Sequence, residues 1–325
     1  MEGIQVCDLK KSYKVEQVEA GLWGAIKSLF KRKYEKVVAI DGITLSISKG
    51  EMVGLIGPNG AGKTTFVKIL SGVLYPDSGS VTIDGFKPFK RDKKFLEKIA
   101  LFTGQRGFLS TIIWDIEPRE GYELIREIYN IDRYTFKTRL TKLIELLEAG
   151  EIVNKPLRKL SLGERTKVEL IGAILHNPEY IFLDEPTIGL DLLSQKNLWD
   201  FIKTYNKKTG ATILITSHYV RDLEELGKRV VIINRGRIVY DGDKETIKQS
   251  MGDIRHIRVK VSNPSCEINL PGFEQKDECL VGEVLRTKIP EIIQTLNNLN
   301  GVEDVQIEDP PLESLIRKIY TEGGL

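Results

Sequence analysis

The stretch Met52-Val-Gly-Leu-Ile56 runs directly into Gly57-Pro-Asn-Gly-Ala-Gly62-Lys63-Thr64, and the helix-forming run Phe66-Val-Lys-Ile-Leu70 follows shortly after. The middle segment has the form G-x-x-x-x-G-K-[ST], in which glycines let backbone N–H groups wrap around phosphate oxygens. This motif requires a strand before it and a helix after it, because the helix N-terminus adds positive potential. The stretch therefore predicts a phosphate-binding loop between a buried strand and a helix.

Within this loop, Lys63 is placed to bridge terminal phosphates and Thr64 to ligate Mg²⁺. A second apolar run, Tyr180-Ile-Phe-Leu, ends in Asp184 and Glu185. Two adjacent acids at a strand end would by themselves indicate a solvated turn. Opposite a phosphate loop they predict a magnesium ligand, Asp184, and a carboxylate that orients or deprotonates the attacking water, Glu185.

The rest of the chain to about residue 245 alternates short strand-like runs with helical patterns, which is typical of an α/β sheet. Four of these runs are fully apolar and predict parallel strands buried on both faces, at residues 52–56, 180–183, 212–216 and 230–233. The turn-rich stretch at residues 75–79, followed by a strand-like run at 81–85, predicts an antiparallel β element beside that sheet.

Length and charge indicate two modules. At roughly 100 to 200 residues per domain, 325 residues allow about two domains. The net charge of +2 excludes a global field that drives non-specific binding to nucleic acid. Residues 250–325 hold 8 basic and 13 acidic side chains, a net −5, and their strand and helix pattern starts afresh. We expect a cassette over residues 1–248 and a small α+β domain over 249–325.

The cysteines and the N-terminus bear on compartment. Cys7, Cys266 and Cys279 are odd in number and show no C-x-x-C spacing, which argues against a disulfide framework or a zinc site and indicates buried thiols in a reducing compartment. Charged residues stand where a secretory signal needs an apolar stretch, and no apolar run approaches the roughly 18 residues that span a bilayer. We expect a cytosolic protein.

A further segment, Leu160-Ser161-Leu162-Gly163-Glu164, precedes a helical run. By itself a serine followed three residues later by glutamate is a helix-capping box. In this order along the chain, the motifs together resemble the nucleotide-binding subunit of ABC transporters, over roughly residues 1–245. The segments that carry the resemblance are Gly57 to Thr64, Ser161 to Glu164, Asp184-Glu185, Gly189-Leu190-Asp191 and Thr216-Ser217-His218.

The resemblance implies a role for each matching residue. Gln105 looks like the glutamine that senses Mg²⁺ and the membrane partner, Asp191 is similar to the D-loop aspartate, and His218 to the switch histidine. Ser161 and Gly163 look like signature residues that contact the γ-phosphate held by another protomer. Tyr13 looks like the aromatic residue that stacks on adenine, with a half-buried strand tyrosine as the alternative reading. The implied catalytic residues are Glu185, His218 and Gln105; the implied metal ligands are Thr64, Gln105 and Asp184; and the implied nucleotide contacts are Tyr13, Gly57, Pro58, Asn59, Gly60, Ala61, Gly62, Lys63, Thr64, Thr65, Ser161, Gly163, Glu164 and Asp191.

The implied fold is a P-loop ABC cassette, with a mainly parallel sheet, an antiparallel β subdomain and a helical subdomain. The signature reads LSLGE rather than LSGGQ, but Ser161 and the second glycine are present, so we expect ATPase activity to be retained. In this family the signature faces away from the phosphate loop of its own chain. Two protomers must then stack head to tail with two ATP molecules between them.

The implied function is the ATPase subunit of an exporter, most similar to the ABC-2 type. It would lie on the cytoplasmic face of the membrane, bind ATP and Mg²⁺, pair with a second ATPase protomer in a homodimer and serve separate permease subunits. No nucleic-acid partner is expected. The alternatives are a soluble ABC ATPase acting on ribosomes or nucleic acid, which the single uninterrupted cassette disfavours, and a polysaccharide-exporter ATPase, whose large C-terminal β-sandwich the short C-terminal part fits poorly.

An insertion at about residues 15–37 separates Tyr13 from the next strand. Its apolar residues fall on one face of a predicted helix with a basic edge, namely Leu22, Trp23, Ile26, Leu29 and Phe30. Such a helix can pack onto the cassette, dock against the permease or lie among lipid headgroups.

Overall fold

The computed structural model of the chain describes residues 3–17, 33–104, 107–219, 222–225, 227–249, 254–261, 272–276, 279–297 and 301–308. Its internal contacts divide the chain into two compact units, one up to Gly242 and one from Asp243. The helical face predicted from Leu22 to Phe30 lies outside the described residues, as does Gln105.

In chain order the strands are β1 (Gly3–Gln17), β2 (Lys33–Ser48), β3 (Met52–Ile56), β4 (Ser78–Ile83), β5 (Ile99–Thr103), β6 (Tyr180–Asp184), β7 (Thr212–Ser217), β8 (Arg229–Asn234), β9 (Arg237–Asp243), β10 (Ile254–Val261), β11 (Phe273–Lys276), β12 (Cys279–Leu285) and β13 (Val302–Glu308). The helices are α1 (Lys63–Leu70), α2 (Lys93–Leu96), α3 (Phe108–Ile112), α4 (Pro118–Ile128), α5 (Arg133–Leu146), α6 (Leu162–Ile174), α7 (Leu192–Thr209), α8 (Asp222–Glu225), α9 (Lys244–Gln249) and α10 (Ile289–Asn297).

The central sheet of the first unit has the strand order β5-β6-β7-β3-β8-β9. Strands β5, β6, β7, β3 and β8 pair in parallel, and every residue of β6 and β7 is buried. Continuous apolar runs form such strands because helices and a second sheet cover both faces. The predicted parallel sheet is confirmed, and strand β9 is an addition that the sequence pattern did not indicate.

A second sheet of the first unit has the order β2-β1-β4 and is antiparallel throughout. This confirms the predicted antiparallel element. Strands β1 and β2 pair as far as Gln17 opposite Lys33. The predicted helical insertion at about 15–37 is therefore wrong at both ends, because residues 15–17 and 33–37 form a two-stranded ribbon. The residues at both ends of the insertion continue the antiparallel pairing of β1 with β2 instead of forming a helix.

The two sheets enclose helix α1 in one apolar core. Ile4 and Ile43 of the antiparallel sheet, Phe66 and Leu70 of α1, and Phe182 of the central sheet are all at most 1% exposed and belong to one cluster. At 20 to 33 cal/mol per Å² of buried apolar surface, each of these side chains contributes roughly 1.5 to 3 kcal/mol. This packing fixes the segment between β3 and α1, which is the predicted phosphate loop.

Helices α3 to α6 follow strand β5 and form a helical region. The hydroxyl of Tyr122 in α4, which is fully buried, donates a hydrogen bond of 3.0 Å to the carbonyl of Val168 in α6. The carboxylate of Glu169 in α6 accepts from the backbone N–H of Leu109 at 3.0 Å and also from that of Ser110, at the start of α3. Helix α6 therefore organises the region that succeeds residue 105.

The second unit contains an antiparallel sheet of order β11-β12-β10-β13. Its core contains Ile257, Val259, Val261 and Leu280 from the strands and Leu296 from α10. The alternating pattern at 256–261 and the helical pattern near 289–299 produce this arrangement, since one sheet face is covered and the other is polar.

Two further observations concern the whole described chain. Cys7 is exposed and Cys279 is half-buried, so the expected burial of the thiols is wrong for Cys7, which lies at a register shift in β1. Among the residues that the structure describes, no helix has the length and apolarity to cross a bilayer.

Candidate active site

Three loops meet at the carboxyl edge of the central sheet. Because β6, β7 and β3 are neighbours and parallel, the segments that leave their C-terminal ends lie side by side. Asp184 ends β6 and is followed by Glu185, Ser217 ends β7 and is followed by His218, and the phosphate loop follows β3. The backbone N–H of Gly57 donates to the carbonyl of Ser217 at 3.3 Å, and that of Glu185 to the carbonyl of Thr216 at 3.2 Å. The sheet thus assembles the predicted residues.

The phosphate loop depends on its glycines for space. Gly62 has a φ of 108°, and a Cβ there would lie 2.2 Å from the carbonyl oxygen of Ala39. A Cβ on Gly57 would lie 2.3 Å from the carbonyl oxygen of Ile233. The loop is closed by a hydrogen bond of 3.1 Å from the N–H of Ala61 to the carbonyl of Pro58. It borders a cleft of about 290 Å³ that is lined by Ala39, Asn59, Gly60, Gly62, Lys63, Thr64, Thr65 and Glu185.

Lys63 lies in the first turn of α1 with its ammonium inside the loop. Its Nζ donates to the carbonyl oxygens of Gly57 at 2.8 Å and Pro58 at 3.2 Å, and lies 3.5 Å from Oε1 of Glu185. Burial lowers the pKa of Lys63, while the charge of Glu185 opposes this change. A desolvated cation surrounded by carbonyl oxygens and backbone N–H groups is suited to polyanionic phosphates.

The carboxylate of Asp184 accepts hydrogen bonds from hydroxyl groups on two elements. Its Oδ1 accepts from Oγ1 of Thr64 at 3.2 Å and from Oγ1 of Thr216 at 2.6 Å. Hard oxygen ligands of this kind fit Mg²⁺, which keeps several waters and uses one or two protein ligands plus phosphate oxygens. No group of three or more His, Cys, Asp or Glu side chains in the described part of the chain is arranged to hold a metal ion. The fit therefore rests on Thr64, Asp184 and the phosphates.

Glu185 is positioned between the ammonium of Lys63 and the imidazole of His218. Its Oε2 lies 3.0 Å from Nδ1 of His218, and its other oxygen faces Lys63. The backbone of Glu185 is in the left-handed region with φ of 50°, a costly conformation for a non-glycine residue that turns the side chain back toward the cleft. Its N–H also donates to Oγ1 of Thr216 at 3.0 Å. These contacts hold the carboxylate of Glu185 at the cleft where phosphates would bind.

Tyr13 lies at the entrance on strand β1. Its hydroxyl is 3.2 Å from Oγ1 of Thr65, a residue that lines the cleft, and the side chain is 37% exposed. Val37 is its cross-strand partner on β2 and is exposed as well. The ring is thus available for stacking, while the hydroxyl ties the ribbon to α1.

The predicted signature residues form the N-terminus of helix α6. Ser161 and Glu164 make the reciprocal hydrogen bonds of a capping box, and the backbone N–H of Ser161 lowers the pKa of Glu164. A Cβ on Gly163 would lie 2.9 Å from Oγ of Ser194, whose hydroxyl donates to Asp191 at 2.7 Å. The four predicted residues among them, Ser161, Gly163, Glu164 and Asp191, do not line the cleft that contains Lys63. The structure places the signature beside the segment that carries Asp191. Neither segment lines the cleft at the phosphate loop of the same chain.

Two residues that shape the site, Thr216 and Glu169, have no predicted role. Thr216 bridges Asp184 and the backbone of Glu185, and the only signal for it is a hydroxyl near the end of an otherwise apolar strand. Glu169 is buried and accepts a hydrogen bond from the backbone N–H of Leu109, at the start of α3 and two residues after Gly107. The sequence feature that could have indicated it is an acidic residue within the apolar face of a predicted helix. Gln105 itself lies outside the described residues.

Similarity to known proteins identifies the family. Residues 40–188 match the ABC transporter family. The chain is 32% identical over 222 residues to the ABC transporter ATP-binding protein NatA of Bacillus subtilis (strain 168), covering 68% of this chain and 88% of NatA. It is 30% identical over 224 residues to the daunorubicin resistance ATP-binding protein DrrA3 of Streptomyces coeruleorubidus, covering 69% of each.

Solved structures show the same fold. The ATP-binding subunit of an ABC transporter superposes with a TM-score of 0.61 at 23% identity, covering 77% of this chain and 93% of that one. A dimeric post-hydrolysis state of the cassette MJ0796, bound to ADP and Pi, superposes with a TM-score of 0.59 at 23% identity, covering 74% and 98%.

A phosphate loop, an acidic strand end and a histidine in contact with that end, all on this sheet, define a P-loop ATPase cassette. The chain belongs to the ABC transporter family of ATP-binding proteins. It is the ATP-binding and ATP-hydrolysing subunit of an exporter-type ABC transporter, which confirms the predicted family, fold and ATPase activity.

Proposed function

We propose that two copies of this chain lie on the cytoplasmic face of a membrane and hydrolyse ATP at two shared sites. Hydrolysis thereby drives export through separate permease subunits. The observation that carries the proposal is that Lys63, Thr64 and Glu185 line one cleft, from which Ser161 is absent. Asp184 and His218 contact that lining, through Thr64 and Glu185 respectively. One chain supplies phosphate binding and water activation. The γ-phosphate contact from a signature serine must then come from the other protomer.

Each residue has a defined part in hydrolysis. The backbone N–H groups of the loop and the ammonium of Lys63 bind the β- and γ-phosphates. Thr64 and Asp184 would hold Mg²⁺, which when bound would supply positive charge to the phosphate oxygens. Glu185 orients the attacking water and accepts its proton, and His218 keeps the carboxylate in place through the 3.0 Å contact. By family resemblance, Gln105 would be a further ligand of that ion.

The pairing of protomers follows from the direction of helix α6. Its N-terminus carries positive partial charge, which Glu164 satisfies in part through the capping box. A phosphate delivered by a second protomer adds a full anion beside Ser161, and Asp191 on the adjacent loop contacts the facing chain. The dimeric state of the MJ0796 cassette supports this arrangement for a protein of the same fold.

An apolar groove supports docking of a permease. It has a volume of about 460 Å³ and lies among β5, α3, α4 and α6, with Val73, Phe108 and Ile128 on its wall. These three side chains are 45 to 55% exposed, which is unusual for large apolar residues grouped around one groove. Burial lowers the pKa of His176 in the same groove to about 4, so that ring is neutral. We assign the groove to a short apolar helix of the permease.

The experiment is purification of the tagged chain from native membranes, followed by identification of the proteins that accompany it. Recovery of a polytopic permease supports the proposal, and recovery of ribosomes contradicts it. Ile128→Glu places a charge in the groove and should abolish permease recovery while the isolated chain keeps its ATPase activity. Tyr134→Glu is the matched control, because Tyr134 is 82% exposed on α5 and does not line the groove.

The second unit, with its own apolar core and net negative charge, contains no phosphate-binding motif. We assign it a role in dimerisation or regulation of the cassette. The separate cores of the two units support this assignment.

A further inference from the structure

A buried carboxylate outside the cleft connects the two loops that carry the hydrolytic residues. Oδ2 of Asp222 accepts a hydrogen bond from Oγ of Ser217 at 2.6 Å and another from Oγ1 of Thr187 at 3.0 Å. The three residues are 1 to 2% exposed. One oxygen atom therefore joins two segments that leave different strands of the central sheet.

The positions of these two hydroxyl groups are close to the chemistry. Thr187 lies two residues after Glu185, and Ser217 lies one residue before His218. The hydroxyl of Ser217 also accepts from the backbone N–H of Tyr219 at 2.9 Å, so the loop is held on both sides of the histidine. A displacement of either loop would lengthen the 3.0 Å contact between His218 and Glu185.

The carboxylate of Asp222 is chemically suited to joining the two loops. A carboxylate has only acceptor atoms, so each hydroxyl is forced to donate toward Asp222, and hydrogen bonds to a charged acceptor are short and roughly twice as strong as neutral ones. Burial of a carboxylate is costly unless it is fully hydrogen-bonded, and apolar packing would stabilise the same space at lower cost. What a shared acidic oxygen provides, and an apolar side chain does not, is a fixed distance between the two loops.

We propose that Asp222 is a positioning residue that holds Glu185 and His218 at hydrogen-bonding distance and thereby sets the rate of ATP hydrolysis. The proposal rests on the roles given above to Glu185 and His218. Asp222 does not line the nucleotide cleft. Lys63 and Tyr13 make their hydrogen bonds to other residues, so nucleotide binding does not depend on Asp222.

The test is the ATPase kinetics of the full chain with Asp222→Ala. We expect kcat to fall by about 10²-fold, the loss that a displacement of about 1 Å produces, with KM and the affinity for ATP changed less than about threefold. Asp222→Asn should recover much of kcat, because its amide oxygen can accept from both hydroxyls. Thr187→Val should lower kcat less than Asp222→Ala, and the double variant should be no worse than Asp222→Ala alone, since both changes break one unit.

A matched control separates positioning from general stability. Tyr122→Phe removes another buried hydroxyl hydrogen bond, from α4 to α6, and should lower Tm without changing kcat of the folded protein. An Asp222→Ala variant that lowers Tm but keeps wild-type kcat overturns the proposal. If that variant does not fold, unchanged kcat in Thr187→Val has the same consequence, because that variant removes one of the two hydroxyl groups that Asp222 binds. Glu185→Gln in the same assay distinguishes the two levels: normal turnover there contradicts the proposed function, whereas lost turnover beside a normal Asp222→Ala contradicts this inference alone.

Discussion

Nδ1 of His218 lies 3.0 Å from Oε2 of Glu185, and the other oxygen of the same carboxylate lies 3.5 Å from Nζ of Lys63. The carboxylate is thus held from both sides while its backbone adopts a positive φ. Such an arrangement orients Glu185 before any substrate arrives, which reduces the reorganisation needed for reaction.

Removal of the imidazole should affect turnover rather than binding. His218→Ala frees one oxygen of Glu185, so we expect kcat to fall by about 10²- to 10⁴-fold, the range for loss of a general acid or base contribution. Affinity for ATP, measured by equilibrium titration, should stay near the wild-type value because the phosphate loop is unchanged. His256→Ala, in the second unit, is the control and should leave both quantities unaltered.

The glycines of the phosphate loop should differ in tolerance. Gly62→Ala combines a φ of 108° with a Cβ 2.2 Å from the carbonyl of Ala39, so the backbone must move and ATP binding should be lost. Gly60→Ala has a φ of 80° but no atom within 4 Å of its Cβ, and should cost only about 1 to 2 kcal/mol of unfolding free energy. Thermal unfolding with and without ATP compares them, and equal behaviour of the two variants contradicts the loop geometry.

Acid should destabilise the cassette through His176. The folded pKa of His176 is lowered by burial from 6.5 to about 4, so the unfolded chain binds a proton at a higher pH than the folded one. Stability is therefore complete above the unfolded pKa and is lost as pH falls from about 6.5 toward 4. Between pH 6.5 and 5 the loss should reach about 2 kcal/mol.

The measurement is urea unfolding across that pH range, which lies above the usual pKa of carboxylates. His176→Gln keeps a donor for the carbonyl of Ile99, 2.9 Å from Nε2, but cannot titrate. Its unfolding free energy should change much less between pH 6.5 and 5. An equally steep dependence in this variant would show that another group is responsible.

The second unit should be dispensable for nucleotide binding. A chain ended after about residue 248 keeps the whole central sheet, the phosphate loop and both sheets around α1. We expect it to fold and to bind ATP with near wild-type affinity, as followed by circular dichroism and nucleotide titration. Soluble, folded protein that no longer binds ATP would contradict the division of roles.

The sequence predicted those features that depend on local pattern. The strand Met52–Ile56, the phosphate loop and the acidic end of β6 are each specified by contiguous residues, and the sheet places them as expected. The ribbon at residues 15–17 and 33–37 was misassigned because its exposed strands mix charged and apolar residues without a clear period of two.

The polar contacts were less predictable. Thr187 lies 35 residues before Asp222 in the sequence, and only the sheet order reveals that one carboxylate accepts from the hydroxyls of both Thr187 and Ser217. The same holds for Glu169, which reaches α3 across 60 residues of chain. Contacts of this kind depend on tertiary packing, which local propensity does not encode.

The claim that Glu185 activates water at a site shared by two protomers is tested most directly by gel filtration of Glu185→Gln with MgATP, together with its turnover. The variant keeps the size of the side chain but loses the proton acceptor, so it should bind ATP and hydrolyse it about 10²- to 10⁴-fold more slowly than the wild type. With hydrolysis blocked, it should elute as a stable dimer that retains ATP. A monomer with ATP bound, or turnover equal to that of the wild type, would contradict the account.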